Sequence, residues 1–379
     1  MQSRDQYPLR RDLHFRTSVR ILAGLVFLTI IAGGLEIGLR LWSRAANADD
    51  IARHLTMYDD AYRQLYSPEE LQSEPLRQDR CVRRAQQHWD PRFGLAAKTL
   101  DKACAKELFQ SAKTKVVLFG GSAMDGAFSP NYLTTIEHYA FAEDGNIVSI
   151  NLAEAAARLS NMLARLLHEV IELRPNVAVF LVGLNEFLSI QYGGLPGDDF
   201  FWATHVNRKV NHPMLFFLDK AIDESKLAQT VLIQTGIFPS PRRIRTKIDL
   251  TLVNQDVDYY FHTQEYTSVL CRQYSIKCIF ILQPTPLVQS NLDARDQLIV
   301  QDYLKYIPLG QEIIRRGYGL LKMGRNGNFV LDPSRLFDGV PDAYFDVDHF
   351  TKVGNALLGK YIHDTILQSE TRGTKSSTF

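Results

Sequence analysis

The chain lacks the signatures of several common chemistries. It has no Gly-x-Gly-x-x-Gly after a strand-like run and no Gly-Lys-Ser/Thr loop, so nothing in it cradles a dinucleotide or a nucleotide phosphate. Its histidines, cysteines and acids show no metal-ligand spacing. The expectation is therefore no cofactor and no metal. Four cysteines in 379 residues are too few for a disulfide scaffold. Neither charge sign is in excess: 43 Lys and Arg face 42 Asp and Glu, a net charge of +1. That balance excludes a strongly basic chain built to coat nucleic acid. There is no internal repeat and no low-complexity tract. What is present, 45% hydrophobic and 22% charged residues, fits a folded protein of one large domain plus an extra segment, or of two domains.

Charge is also missing locally. Residues 21–35 carry none, and the apolar character continues through Ile37, Leu39, Leu41 and Trp42. Glu36 and Arg40, four apart, fall on one helical face and can pair. With five arginines before it (Arg4, Arg10, Arg11, Arg16, Arg20), the run at residues 21–42 is expected to be a single transmembrane anchor. Residues 1–20 would then form a basic cytoplasmic tail. The body would lie outside the cytoplasm, in the periplasm if the source is Gram-negative. Two alternatives stay open. One is a buried core helix. The other is a cleaved signal with Ala46-Asn47-Ala48 as its site, although Arg40 and Arg44 stand between that site and the apolar run. Cys81 and Cys104 could pair in an oxidising compartment. Cys271 and Cys278 could be a second bridge or two buried thiols.

Residues 43–111 are polar and helix-prone, punctuated by Pro68, Pro75 and Pro91, and read as a stalk or cap. From residue 112 short apolar runs alternate with amphipathic helices. Strands are expected at 115–119, 146–151, 177–182, 278–282 and 329–331, and helices at 153–173, 260–274, 295–316 and 351–367. Residues 369–379 read as a flexible tail. This pattern predicts an α/β fold: a three-layer α/β/α sandwich with a mostly parallel, five-stranded sheet. Ligands of such sheets bind at the carboxyl ends of the strands. The insertion at 187–250, with Gly193-Gly194-Leu195-Pro196-Gly197 and Phe200-Phe201-Trp202, is either a functional lid or a helical excursion packed on the body.

Three loops carry residues fit for chemistry. Gly120-Gly121-Ser122 puts a hydroxyl at the end of the first strand, with a free backbone N–H beside it. Gly183-Leu184-Asn185-Glu186 ends the third strand with an amide able to donate to an oxyanion. Asp346-Val347-Asp348-His349 precedes the last helix. A carboxylate three residues before a histidine can fix its tautomer and leave the other ring nitrogen as a base. Each alone could be an ordinary turn. Asp346, Asp348 and His349 could hold a cation, but Ser122 and Asn185 would then be unexplained.

In that order these blocks resemble the SGNH (GDSL-like) hydrolase family, over roughly residues 112–368. Gly120-Gly121-Ser122 looks like a Gly-Gly-Ser variant of its Gly-Asp-Ser block, as in some membrane-anchored bacterial members. Gly183 to Glu186 is similar to its Gly-x-Asn-Asp, with Glu for Asp. Asp346 to His349 matches its Asp-x-x-His. The resemblance implies an SGNH-hydrolase (flavodoxin-like) fold. It also implies Ser122 as nucleophile, His349 as base, Asp346 as its orienter, and the N–H groups of Ser122 and Ala153 with the Asn185 amide as oxyanion hole. Ala153 departs from the family's usual Gly in the second block. The expected activity is that of a membrane-anchored serine esterase or O-acyltransferase on acyl, chiefly acetyl, esters of an envelope carbohydrate or lipid. The alternative is a weakly catalytic binding or assembly module in an envelope or polysaccharide system.

Overall fold

The computed structural model describes residues 81–90, 94–126, 129, 131–191, 250–325 and 327–375. The expected anchor at 21–42, the basic tail, most of the stalk and residues 192–249 of the insertion lie outside them. Among the described residues no helix is long and apolar enough to cross a membrane.

Four parallel strands form the sheet: β3 (Thr114–Phe119), β4 (Ile147–Asn151), β5 (Val177–Val182) and β6 (Lys277–Leu282), in the order β4-β3-β5-β6. The central β5 is a continuous, fully buried apolar run because both faces are covered, and β3 and β6 become apolar after their polar first residues, whereas β4 at the edge carries Ser149 and Asn151. Alternate residues feed two separate cores. Val117, Phe119, Ala178, Phe180, Val182, Phe280 and Leu282 point into one. Val116, Leu118, Val179, Leu181, Ile279 and Ile281 point into the other. On the first face Phe119, Phe180 and Phe280 stack across three neighbouring strands, with ring centroids 4.9 and 5.0 Å apart. Truncating the central Phe180 to Ala should cost about 3–5 kcal/mol.

Along the chain, β1 (Val82–Asp90) and β2 (Gly94–Leu100) form an antiparallel hairpin, followed by α1 (Lys102–Gln110). The remaining α-helices among the described residues are α2 (Ser122–Asp125), α3 (Ile136–Phe141), α4 (Leu159–Arg165), α5 (Leu184–Gln191), α6 (Leu250–Gln273), α7 (Ala294–Tyr306), α8 (Gly310–Met323) and α9 (Lys352–Lys375). Helices α6 and α8 contribute to the Phe119 face and pack on each other. Helices α3 and α9 form the other layer. The α/β/α sandwich expected from the sequence is the observed one.

Four local expectations are corrected. The fifth strand is a single parallel bridge, Leu331 to Ile281, because Asp332-Pro333 follows at once and proline has no N–H to continue a ladder. The helix expected at 153–173 starts only at Leu159, after Ala156 has turned into the left-handed region (φ 62°). Past Arg165 it loosens into a π turn (Leu166–Val170) and a 3₁₀ turn (Ile171–Leu173). The helix expected at 295–316 is two, since Pro308 forces Ile307 out of helical geometry. Finally, the described part of the segment read as helix-prone, residues 82–90 and 94–111, opens with a β-hairpin, and Val82, Leu100, Ala105 and Phe109 share the core of Phe119 and Ile150. A Cys81–Cys104 disulfide ties the start of the hairpin to α1, and Cys271–Cys278 joins the end of α6 to β6.

Candidate active site

Ser122 is the first residue of α2, immediately beyond β3. A helix-opening residue has no intrahelical acceptor for its N–H. Gly121 before it is extended (φ −84°), a conformation open to any residue, so the glycine is there for space. A Cβ at Gly121 would overlap Nδ2 of Asn185.

His349 lies 227 positions away, yet its Nε2 is 2.7 Å from Ser122 Oγ. Its Nδ1 meets Asp346 at 2.9 Å (Oδ1) and 2.8 Å (Oδ2). A carboxylate can only accept, so the ring proton sits on Nδ1 and Nε2 accepts from the serine hydroxyl. Asp346 is fixed in turn by its own loop: Oδ1 also accepts from the N–H groups of Asp348 (2.7 Å) and His349 (2.8 Å). Burial draws the imidazole pKa down. The hydrogen bond to Asp346 and the charges of Asp346 and Asp348 outweigh it, and the net pKa lies above the ordinary value. Asp348, with a buried Oδ1 that has no hydrogen-bond partner, is pushed up to about 7, chiefly by burial and then by Asp346.

Asn185 stands in the first turn of α5, where Gly183 (φ 110°) ends β5. One hydrogen of its amide goes to the Ala157 carbonyl at 2.9 Å. The same nitrogen borders Gly121, so the amide runs beside the serine. Ala153 is buried in the loop after β4, with φ outside the positive region. Its N–H is engaged by Asn151 Oδ1 at 3.0 Å, and therefore does not stand free as the sequence reading supposed. Ser122, His349, Asp346 and Asn185 are thus brought together, while the Ala153 donor is already committed.

Other residues of the site have roles that the sequence reading did not assign. Glu186 is buried and accepts from two backbone N–H groups, of Gly183 (2.8 Å) and Leu159 (2.9 Å). Its side chain thereby reaches α4 from the end of β5. Burial raises its pKa. Beyond β6, Gln283 Nε2 donates to the Asp348 carbonyl (2.6 Å) and Thr285 Oγ1 to that of Val347 (2.8 Å), which pins the histidine loop to the sheet. A Gln-Pro-Thr after a strand could have pointed there, since it sits where ligand loops emerge.

No protein-family model matches the chain, and no curated protein does. Among solved structures, the chain is similar to the acetyl xylan esterase AlAXEase (13% identity, 67% of this chain and 98% of that one, TM-score 0.34). It is likewise similar to a GDSL-like lipase from Bacteroides thetaiotaomicron (15% identity, 71% and 97% covered, TM-score 0.36).

Proposed function

We propose that this chain is a serine esterase or O-acyltransferase of the SGNH type, and that Ser122, His349 and Asp346 carry its chemistry. One observation carries the reading: the continuous relay from Ser122 Oγ through both ring nitrogens of His349 to Asp346. Ser122 Oγ attacks the ester carbonyl carbon while its proton passes to His349 Nε2. Asp346 stabilises the imidazolium that forms. The negative oxygen of the tetrahedral adduct is received by the Ser122 N–H and the Asn185 amide. The adduct collapses, the C–O bond to the alcohol breaks, and His349 returns the proton to the leaving oxygen. The acyl-serine is then cleaved by water, or by a hydroxyl acceptor, with His349 again taking and returning one proton.

The substrate class we infer is an acyl ester of an envelope carbohydrate or lipid. The placement we infer is a membrane anchor at residues 21–42, an amino end in the cytoplasm and a body outside it. Two disulfides among the described residues support an oxidising compartment. The committed Ala153 N–H favours a second reading, a binding module of low turnover, because it leaves the oxyanion fewer donors.

A fluorophosphonate probe separates the two. It should label Ser122 in the intact protein, and Ser122→Ala or His349→Ala should abolish both labelling and the hydrolysis of small acetyl esters while the thermal melt is kept. Wild-type turnover in Ser122→Ala would overturn the serine mechanism, and a folded parent protein that neither labels at Ser122 nor turns over acetyl esters would leave the binding module as the better reading.

A further inference from the structure

The hairpin that precedes the sheet carries a lysine where none would be expected. The Lys98 side chain is 1% exposed, and its Nζ pairs with Asp125 Oδ1 at 2.6 Å. The same Nζ donates to the Asn151 carbonyl at 3.3 Å. Asp125 is the last residue of α2, three after Ser122. Asn151 is the last residue of β4, two before Ala153. One ammonium group therefore ties α2, which opens with the candidate nucleophile, to the carboxyl end of β4.

The strand bearing it is held just as firmly. Lys98 N–H donates to Glu154 Oε2 (3.3 Å), and the Lys98 carbonyl accepts from an Arg165 Nη at 2.7 Å. Arg165 also meets Glu154 (3.3 Å), Glu169 (2.8 Å) and the Leu152 carbonyl (3.3 Å). Five charged side chains thus lie out of water in one network joining the hairpin, α2, the loop after β4, and α4.

Burying a lysine is costly unless it is paired and hydrogen-bonded, and an apolar side chain of similar volume would often serve packing as well or better. What an apolar side chain does not supply is a fixed spacing between a carboxylate at the end of α2 and a carbonyl at the end of β4. The Asn151 amide makes a parallel tie close by, from Nδ2 to the Met124 carbonyl at 2.9 Å. Both ties set where α2, and with it Ser122, sits relative to the sheet.

We propose that Lys98 is a positioning residue for Ser122, which makes the β1–β2 hairpin part of the catalytic apparatus. The proposal rests on the reading of Ser122 as nucleophile. It acts through Asp125 and the Asn151 carbonyl. Small misplacements of reacting groups cost about 10²-fold in rate.

The test uses the full chain with Lys98→Met and with Lys98→Met/Asp125→Asn. The double variant keeps the fold testable, since it leaves no unpaired buried charge. The readouts are the rate of fluorophosphonate labelling at Ser122 and kcat and KM on a small acetyl ester, each per folded molecule by thermal melt. Both variants should label and turn over about 10²-fold more slowly with KM nearly unchanged. The double variant should regain stability without regaining rate, because it too lacks the bridge. A folded variant that labels at the parent rate overturns the positioning role, and so does failure of both variants to fold, which would assign the pair to folding alone. Absence of label at Ser122 in the unaltered protein is a separate result. It would overturn the nucleophile reading and this proposal with it.

Discussion

Gly121 and Asn185 occupy mutually exclusive space: the amide nitrogen of one lies where a Cβ of the other would be. The glycine is extended, so this is a steric requirement and not one of backbone freedom. Gly121→Ala should displace the Asn185 amide from the serine without straining φ. We expect kcat to fall by about 10²-fold, the cost of losing one oxyanion donor, with stability only slightly changed. Steady-state kinetics and a thermal melt on the purified variant check this. Unchanged kcat would mean that Asn185 gives way harmlessly.

Direct removal of the amide is the companion experiment. Asn185→Ala should lower kcat by about 10²–10³-fold and leave KM nearly alone, as for a donor used mainly in the transition state. Asn185 also bonds the Ala157 carbonyl, so a purely structural role predicts a lower melting temperature with normal kcat per folded molecule. The two outcomes separate in one data set.

His349 is raised above the ordinary histidine pKa of about 6.5 by Asp346 and Asp348, against the opposing effect of burial. A general base works only when neutral, so activity should rise with pH on a limb centred above about 6.5. Asp348→Asn removes one of the two charges that raise it, so the limb should move to lower pH. Because Asp346, Asp348 and His349 act on one another, the profile reports values of the group as a whole. A limb that stays in place in Asp348→Asn would show that this carboxylate does not reach the ring.

Asp296 offers a test of stability rather than rate. It is 1% exposed beside Asp293 and Asp342, and burial, then Asp293, push its pKa up to about 7. The unfolded chain releases this proton near pH 4. Between about pH 4 and 7 the folded state therefore binds more protons, and stability falls as pH rises through that window. Asp296→Asn should flatten the fall in melting temperature between pH 4.5 and 7.5 relative to the parent. Parallel curves would show that Asp296 does not hold a proton in the fold.

The sheet and the chemical residues were legible in the sequence for one reason. Buried parallel strands are continuous apolar runs, and Ser122, Asn185 and the Asp346–His349 loop each stand just past such a run or just before a helix. Where the reading missed, tertiary contacts overrode local preference. The alanine-rich stretch 153–157 favours helix, yet Glu154 is drawn to Arg165 and Ala156 takes a left-handed turn. Pro308 was visible but its break was passed over, because the apolar spacing continues on both sides. Lys98 could not be found that way, since nothing within a few residues distinguishes a lysine that will be buried from one that will be solvated.

The β3–β4 ladder does not stop where the strands stop. Leu152 N–H donates to the Leu118 carbonyl (2.9 Å) and Glu154 N–H to that of Gly120 (3.0 Å), so the rungs continue into the loops around Ser122. The floor of the site thereby belongs to the same cooperative unit as the central sheet. Its amides should exchange with solvent only on the timescale of global unfolding, unlike those of a mobile loop. A molecule built this way cannot remould that floor to suit its ligand. Its choice among ligands falls to whatever governs approach from above, and substitutions that broaden or narrow that choice belong on the rim and not in the ladder.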